Sequence, residues 1–221
     1  MLKAVLFDMD GVLFDSMPNH AYAWSHAMTG FGLKMEPEEV YMNEGRTGKG
    51  TINILSNRYW GRDATDEEVQ RIYEAKSSLF NSLPEAQPMP GALDLLYKVR
   101  AQGLMRVIVT GSATHALLDR VNAAFPEIFS PELMVTAFDV KHGKPNPEPY
   151  LMGLKKANIS AEEAIVVENA PLGIQAAHAA GIFTIAVNTG PLADEVLKEA
   201  GADLVFPSMQ DLADNWEKLI E

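Results

Sequence analysis

Short apolar runs bounded by turn residues alternate along most of the chain with longer stretches whose apolar residues have helical spacing. The short runs are typical of buried strands, and we predict strands at 3–8, 105–110, 133–138, 164–168, 182–187 and 202–207. The longer stretches predict helices at 92–102, 113–123, 147–157, 171–180 and 209–220. Residues 190–201 indicate a loop and a short helix. This alternation predicts an α/β fold, with a parallel sheet covered by helices on both faces.

Residues 16–86 break the alternation, because they contain no convincing buried strand. Two segments have an amphipathic helical pattern instead, one near 19–31 and one near 66–80. Their apolar stripes are Ala21, Trp24, Met28 and Phe31 in the first, and Val69, Ile72, Tyr73, Leu79 and Phe80 in the second. Proline-containing connections on either side are candidate hinges. We therefore predict an all-helical domain at 16–86, inserted into a core formed by residues 1–15 and 87–221.

Composition and charge narrow the function classes. The chain has 221 residues, 47% of them hydrophobic, and no cysteine, which excludes disulfides, thiol nucleophiles and thiolate metal sites. A formal net charge of -12 argues against a nucleic-acid surface. No apolar run is long enough to span a bilayer, and the N-terminal apolar run is too short for a signal peptide. We expect a cytoplasmic protein that is a monomer or weak oligomer and binds neither nucleic acid nor membrane.

Polar motifs lie in four loops at the ends of predicted strands. They contain Asp8 and Asp10, then Thr110, Gly111 and Ser112, then Lys144, and finally Glu168 and Asn169. Ligands of open parallel sheets bind beyond the carboxyl ends of the strands, so we expect these residues to converge. Each motif alone is also compatible with an ordinary helix cap, turn or solvated lysine. Their occurrence together favours a site.

The residue types at these positions suit phosphate chemistry. Two carboxylates after one strand can divide the roles of nucleophile and proton donor. A hydroxyl and backbone N–H groups at a helix start can hold phosphate oxygens, and Lys144, between Gly143 and Pro145, can supply a fixed positive charge. Glu168 and Asn169 offer the oxygen ligands that Mg²⁺ prefers.

In this order the stretches DMDGVLFDS, VIVTGS, GKPNPEPY and VVENAPLGI resemble the haloacid dehalogenase-like superfamily of phosphatases and phosphotransferases, within it the β-phosphoglucomutase-like subgroup. The resemblance implies a Rossmann-like core with a helical cap. It implies that Asp8 is the nucleophile and forms an aspartyl phosphate, and that Asp10 is the general acid and base. The implied Mg²⁺ ligands are Asp8, the Asp10 carbonyl, Glu168 and Asn169, and the implied phosphate-binding residues are Thr110, Gly111, Ser112 and Lys144.

One position departs from the family pattern. Many relatives have Glu-Asp where this chain has Glu168-Asn169. An asparagine still offers an amide oxygen to a metal, but it removes one negative charge. We expect Mg²⁺ binding that is retained but weaker.

The stretch EGRTGKG at 44–50 looks at first like a phosphate-binding loop. A P-loop would need glycine at Asn43 and Ser or Thr at Gly50, so the spacing excludes one. Two interpretations remain: a flexible turn between helices, or a specificity loop formed by Glu44, Gly45, Arg46 and Thr47 that closes over the core. Sugar-phosphate mutases of the subgroup have an arginine where this chain has Gly48, whereas relatives with an EGRTG loop resemble inorganic pyrophosphatases.

Two cap residues, His20 and Lys76, are candidates for contacting a leaving group, although either is equally compatible with a solvent-facing helix position. Together these features predict a Mg²⁺-dependent phosphohydrolase that acts through Asp8 on pyrophosphate or another small phosphorylated metabolite. The alternative within the same chemistry is a β-phosphoglucomutase. The alternative of another class is a non-catalytic phosphometabolite sensor, which the cap and Asp10 disfavour.

Overall fold

The computed structural model describes residues 1–112 and 117–220, and within them six parallel strands form one sheet in the order β3-β2-β1-β4-β5-β6. The strands are β1 (Ala4–Phe7), β2 (Met105–Val109), β3 (Met134–Val135), β4 (Ala164–Glu168), β5 (Phe183–Val187) and β6 (Leu204–Phe206). The helices are α1 (Met17–Gly30), α2 (Pro37–Met42), α3 (Gly48–Trp60), α4 (Asp66–Ser82), α5 (Ala92–Ala101), α6 (Leu117–Ala124), α7 (Glu148–Ala157), α8 (Pro171–Ala179), α9 (Asp194–Glu199) and α10 (Met209–Ile220). Among these helices none combines the length and apolarity needed to cross a bilayer.

The central strand β1 shows why the sequence forms a sheet buried on both faces. Successive side chains of a strand point to opposite faces, and all four residues of β1 are fully buried. Val5 and Phe7 pack in one apolar cluster with α5 and α10, whereas Ala4 and Leu6 pack in a second cluster with α7 and α8. The predicted parallel sheet with helices on both faces is therefore confirmed.

Two predicted strands are shorter than their apolar runs suggest. The run at 133–138 pairs with β2 only through Met134 and Val135. The backbone N–H and hydroxyl of Thr136 then donate to Asp139 Oδ2 at 2.8 and 2.9 Å, which turns the chain away from the sheet. At the other edge β6 spans 204–206 rather than 202–207. The first four residues of the helix predicted at 113–123 lie outside the described residues, and α6 continues to Ala124.

Helices α1 to α4 pack around an apolar cluster of their own, in which Trp24, Met28 and Ile72 are buried, as the two stripes predict. Helices α2 and α3 complete this unit, and Gly48 already belongs to α3, so residues 48–50 are helical rather than part of a loop. The connections to the sheet lie side by side, because Asp15 N donates to Gln87 O at 2.9 Å. This contact lies next to the predicted boundaries of the helical insertion.

Gly91, which precedes α5, lies against the backbone at the start of α10. Its φ is 87°, and a Cβ added there would lie 2.4 Å from the backbone nitrogen of Gln210. Gly103 also has a positive φ, 70°, but an added Cβ there meets nothing within 4 Å. Gly91→Ala therefore combines backbone strain with a backbone clash, and Gly103→Ala tests the strain alone.

We expect Gly103→Ala to lower the free energy of unfolding by about 1 kcal/mol, from left-handed backbone strain. Gly91→Ala is expected to lower it by about 3 kcal/mol, because α10 must also shift. Urea unfolding of both variants and the wild-type chain measures the difference. Equal losses in the two variants would contradict the close packing of Gly91 against α10.

Candidate active site

A cavity of about 410 Å³ lies between the helical insertion and the carboxyl ends of the strands. This is the position where open parallel sheets bind ligands, beside the point where the strand order reverses between β1 and β4. The predicted site residues that line the cavity are Asp8, Asp10, His20, Glu44, Gly45, Arg46, Thr47, Lys76, Thr110, Gly111 and Ser112. Lys144 and Asn169 lie directly behind this lining, in contact with Asp8 and Glu44 respectively, and Glu168 contacts Lys144.

The ammonium of Lys144 joins the ends of three strands. Its Nζ donates to Asp8 Oδ1 at 2.5 Å, to Glu168 Oε1 at 2.6 Å and to the backbone oxygen of Val109 at 3.2 Å. Burial raises the pKa of Asp8, and the positive charge of Lys144 opposes that effect. Burial also disfavours the charged ammonium, but the two carboxylates outweigh it and raise the pKa of Lys144. The lysine is therefore a permanent cation beside Asp8.

Glu168 is held by protein groups on both of its oxygens. Oε1 accepts from Lys144 Nζ and from the hydroxyl of Tyr150 at 2.7 Å. Oε2 accepts from the backbone nitrogens of Asn169 and Ala170 at 2.9 and 3.2 Å. In this arrangement the carboxylate orients Lys144 and fixes the start of α8.

Asp10 lies where β1 has ended, and donors from α1 and the residue before it surround its carboxylate. Ser16 Oγ donates to Asp10 Oδ1 at 2.5 Å, and His20 Nε2 lies 3.5 Å from the same oxygen. Although burial raises the pKa of Asp10, the hydrogen bonds and charge of His20, the Ser16 hydroxyl and the charge of Arg120 lower it well below its usual range. Asp10 is therefore ionised in this arrangement.

Lys76 reaches the cavity from α4 and is buried. Its Nζ lies 3.1 Å from His20 Nδ1, over the rings of Trp24 and Phe80 at 5.5 and 4.7 Å. Burial lowers the pKa of Lys76 to about 8, against an opposing effect of Asp10. The cap helices thus place His20, which is partly buried, and Lys76, which is buried, together beside Asp10.

The loop before α3, residues 44–47, which we call the cap loop, lies against the core. Glu44 Oε2 accepts from Asn169 Nδ2 at 3.2 Å, and a Cβ added to Gly45 would lie 2.9 Å from the Lys144 side chain. Arg46 Nε donates to Asn43 Oδ1 at 3.2 Å, and the Thr47 hydroxyl caps α3 by accepting from Gly50 N. Burial and the nearby carboxylates of Asp8, Asp10 and Glu168 raise the pKa of Glu44 well above its usual value.

Thr110 and the residues after it form the remaining wall. The Thr110 hydroxyl accepts from the backbone nitrogen of Ser112 at 3.1 Å, which turns the chain sharply after β2. Thr110 is buried, and Gly111 faces the carbonyl oxygen of Gly45 in the cap loop. The cap loop therefore meets the predicted phosphate-binding residues as well as Lys144.

The donor set of the site fits a magnesium ion. Among residues 1–112 and 117–220, no three acidic or histidine side chains form a metal cage. Within the same part of the chain, the buried Oδ1 of Asn169 has no hydrogen-bond partner. Magnesium is usually bound by one or two carboxylates with waters and substrate phosphates rather than by a cage of protein ligands. The Asn169 oxygen, which accepts no hydrogen bond and lies near several carboxylates, is therefore compatible with this ion.

Sequence patterns did not single out three residues that the structure places at the site. Ser16 and Tyr150 hold Asp10 and Glu168 through their hydroxyls. Arg120 lines the cavity from α6. Ser16 and Tyr150 end two of the quoted motifs, DMDGVLFDS and GKPNPEPY, but the motifs by themselves assign no role to these hydroxyls. Arg120 is an isolated arginine on an amphipathic helix and gives no local signal of function.

We expect Lys76→Met to stabilise the folded chain at pH 7. Below pH 8 both folded and unfolded states hold the Lys76 proton, and burial of that charge costs about 3 kcal/mol. This cost falls as pH rises from 8 to 10.5, where the folded state has lost the proton and the unfolded state still binds it. The variant should be more stable by about 2 kcal/mol at pH 7, since it also loses the His20 contact.

Urea unfolding at pH 7 and pH 10 measures this difference, which should shrink at the higher pH. Lys49→Met is the control, because Lys49 is exposed and pairs with exposed Asp66 on the outside of the cap. A difference between Lys76→Met and the wild type that does not change with pH would contradict the lowered pKa.

Comparisons with known proteins agree with this geometry. The chain is 34% identical over 213 residues to hexitol phosphatase A from Escherichia coli (strain K12), covering 95% of this chain and 93% of that protein. It is 30% identical to a phosphorylated carbohydrates phosphatase from Thermotoga maritima, covering 91% and 92%. A structure from Bacteroides vulgatus, provisionally named a beta-phosphoglucomutase, is 62% identical with a TM-score of 0.96, covering 99% of this chain and 89% of that one. Residues 5–187 match the family described as haloacid dehalogenase-like hydrolase, and the chain therefore belongs to that family of enzymes.

Proposed function

We propose that this enzyme is a Mg²⁺-dependent phosphohydrolase that works through Asp8 and favours pyrophosphate. The contact between Glu44 of the cap loop and Asn169 of the core is the observation on which the substrate preference depends. It adds a fourth carboxylate to a site that already contains Asp8, Asp10 and Glu168. A site with this excess of negative charge suits a small substrate that is bound together with a divalent cation.

Asp8 is placed to attack phosphorus. One of its oxygens forms a bond to the phosphorus atom as the bond to the leaving oxygen breaks, which yields an aspartyl phosphate and the free leaving group. A carboxylate that approaches a phosphate meets repulsion of about 4 kcal/mol per pair of unit charges at 4 Å and an effective dielectric near 20. Lys144 opposes this repulsion, and Thr110 and the N–H groups beyond it would bind the equatorial oxygens.

The ionised state of Asp10 also supports pyrophosphate. A departing phosphate is stable as an anion, since the second ionisation of a phosphate group lies near pH 6. A sugar alkoxide is far more basic and needs a proton as it leaves. In the second step an ionised Asp10 accepts a proton from the water that attacks the aspartyl phosphate, which releases orthophosphate and restores Asp8.

Four groups would hold the magnesium ion: the carboxylates of Asp8 and Glu44, the backbone oxygen of Asp10 and the Asn169 amide oxygen. When bound, the ion neutralises phosphate charge and orients the transferring group. Glu168, whose oxygens already accept four hydrogen bonds, would act by holding Lys144 in place.

A second candidate function is hydrolysis of a sugar or hexitol phosphate. The cap side of the cavity is lined by apolar and aromatic side chains, among them Trp24, Met35 and Phe80. Such walls suit the apolar face of a carbohydrate, and relatives named as hexitol and carbohydrate phosphatases support this candidate. A mutase activity has less support, because this chain has Gly48, the first residue of α3, at the position where mutases of the subgroup have an arginine.

Phosphate release from a panel of substrates in the presence of Mg²⁺ distinguishes the two candidate functions. We expect turnover of pyrophosphate with kcat/KM at least about tenfold above that of hexitol and hexose phosphates, because only pyrophosphate has a leaving group that is stable as an anion. Asp8→Asn should lower kcat by a factor of about 10³ or more, since it removes the nucleophile.

Each other outcome of the panel has a distinct meaning. Higher kcat/KM for hexitol phosphates would replace pyrophosphate with the second candidate. Conversion of β-glucose 1-phosphate with a bisphosphate activator would favour the mutase. No turnover of any phosphate, with phosphate still bound, would overturn the enzymatic function and favour a sensor.

Asn169→Asp tests the proposed metal-binding role of Asn169, which follows β4. The change adds a negative charge beside the ion, so we expect Mg²⁺ to bind about tenfold more tightly in calorimetric titrations. Asn146→Asp is the control, because it makes the same charge change at an exposed position and keeps the acceptor for Glu148 N. Equal Mg²⁺ dissociation constants for Asn169→Asp and the wild type would show that residue 169 does not bind the ion.

A further inference from the structure

Arg120 lines the cavity, but it belongs to none of the motifs that predict the active site. Its guanidinium carbon lies over the Phe14 ring, 4.1 Å from the ring centre. A cation held over an aromatic face does not use its N–H donors for that contact. This packing uses the face of the guanidinium, so the N–H groups at its edge are not engaged by Phe14.

The Nε and Nη2 atoms at this edge have no hydrogen-bond partner among the described residues. Within residues 1–112 and 117–220, no acceptor binds Nε or Nη2 of Arg120, although both atoms are buried. Buried charged donors without an acceptor are rare and indicate a ligand or an ion. The N–H groups of Nε and Nη2 lie along one edge of the planar guanidinium, and such an edge can bind two oxygens of one phosphate or carboxylate.

The other cations of the site are less suited to an anionic leaving group. Lys144 is engaged by Asp8, Glu168 and a backbone oxygen. Burial lowers the pKa of Lys76 to about 8, so part of its population is neutral in mildly alkaline solution. An arginine keeps its charge at every pH at which the protein is folded.

We propose that Arg120 binds the second phosphate group of a diphosphate substrate and so selects an anionic leaving group. The proposal depends on the phosphohydrolase function proposed above for the same cavity. Because Nε and Nη2 are buried, binding requires that the guanidinium turn toward the cavity that the side chain already lines. The two oxygens of the distal phosphate then replace the missing acceptors.

Binding measurements test the proposal without turnover. The ligands are imidodiphosphate, which keeps two phosphate groups, and orthophosphate, which has one, each titrated by calorimetry with Mg²⁺. We expect the wild-type chain to bind imidodiphosphate at least about tenfold more tightly than orthophosphate. Arg120→Gln should reduce that ratio about tenfold, as expected for loss of a bidentate charged contact.

Two further variants separate this role from folding and from net charge. Arg120→Lys keeps the charge over Phe14 but lacks the two-donor edge, and it should lower the ratio by an intermediate factor. Arg71→Gln is the matched control, since Arg71 is an exposed arginine whose guanidinium lies over Phe31, and its ratio should equal that of the wild type.

A wild-type ratio near one would overturn the proposal, as would an unchanged ratio in Arg120→Gln. An equal loss of affinity for both ligands would also overturn it, because Arg120 would then act on the phosphate group that binds beside Asp8, or act through Asp10. If the affinity ratio is high in the wild type and falls in Arg120→Gln, but no phosphate compound is turned over, the role of Arg120 is supported and the proposed phosphohydrolase function is contradicted.

Discussion

The ammonium of Lys144 is the interaction on which the geometry of the site depends. Asp8 follows β1, and Glu168 is the last residue of the neighbouring strand β4. Without a cation between them, their carboxylates would repel each other. A buried ion pair contributes little net stability, but removal of one partner leaves an uncompensated charge. Lys144 therefore specifies how the loops after β1, β2 and β4 are arranged, rather than how stable the fold is.

Glu168 extends this arrangement into the scaffold. Its four hydrogen bonds connect Lys144 to the hydroxyl of Tyr150 on α7 and to the backbone N–H groups of Asn169 and Ala170 just before α8. Hydrogen-bonded groups of this kind restrict the rotamers of the residues that touch the substrate. The nucleophile is thus positioned by contacts that reach both helices on one face of the sheet.

The cap adds charge to this core as well as covering it. Glu44 brings a further carboxylate toward Asp8 and Asp10, and burial, together with repulsion from these carboxylates, raises the pKa of Glu44. Close approach of the cap loop needs glycine, since an added Cβ at Gly45 would collide with Lys144. Contact between cap and core is therefore electrostatically unfavourable in the free chain and becomes favourable when a cation or proton offsets the charge.

The sequence by itself determined the sheet, the helical insertion and the residues at the strand ends. Periodicity identifies buried strands because it depends on neighbouring residues, and parallel strands place Asp8, Thr110 and Glu168 at one edge. Tertiary structure alone decided the contact between Glu44 and Asn169, which are 125 residues apart, and the pairing of Lys76 with His20. It also decided that the edge of Arg120 faces no acceptor in the described chain. Such relations depend on how separate elements pack, and no local pattern of residue types encodes them.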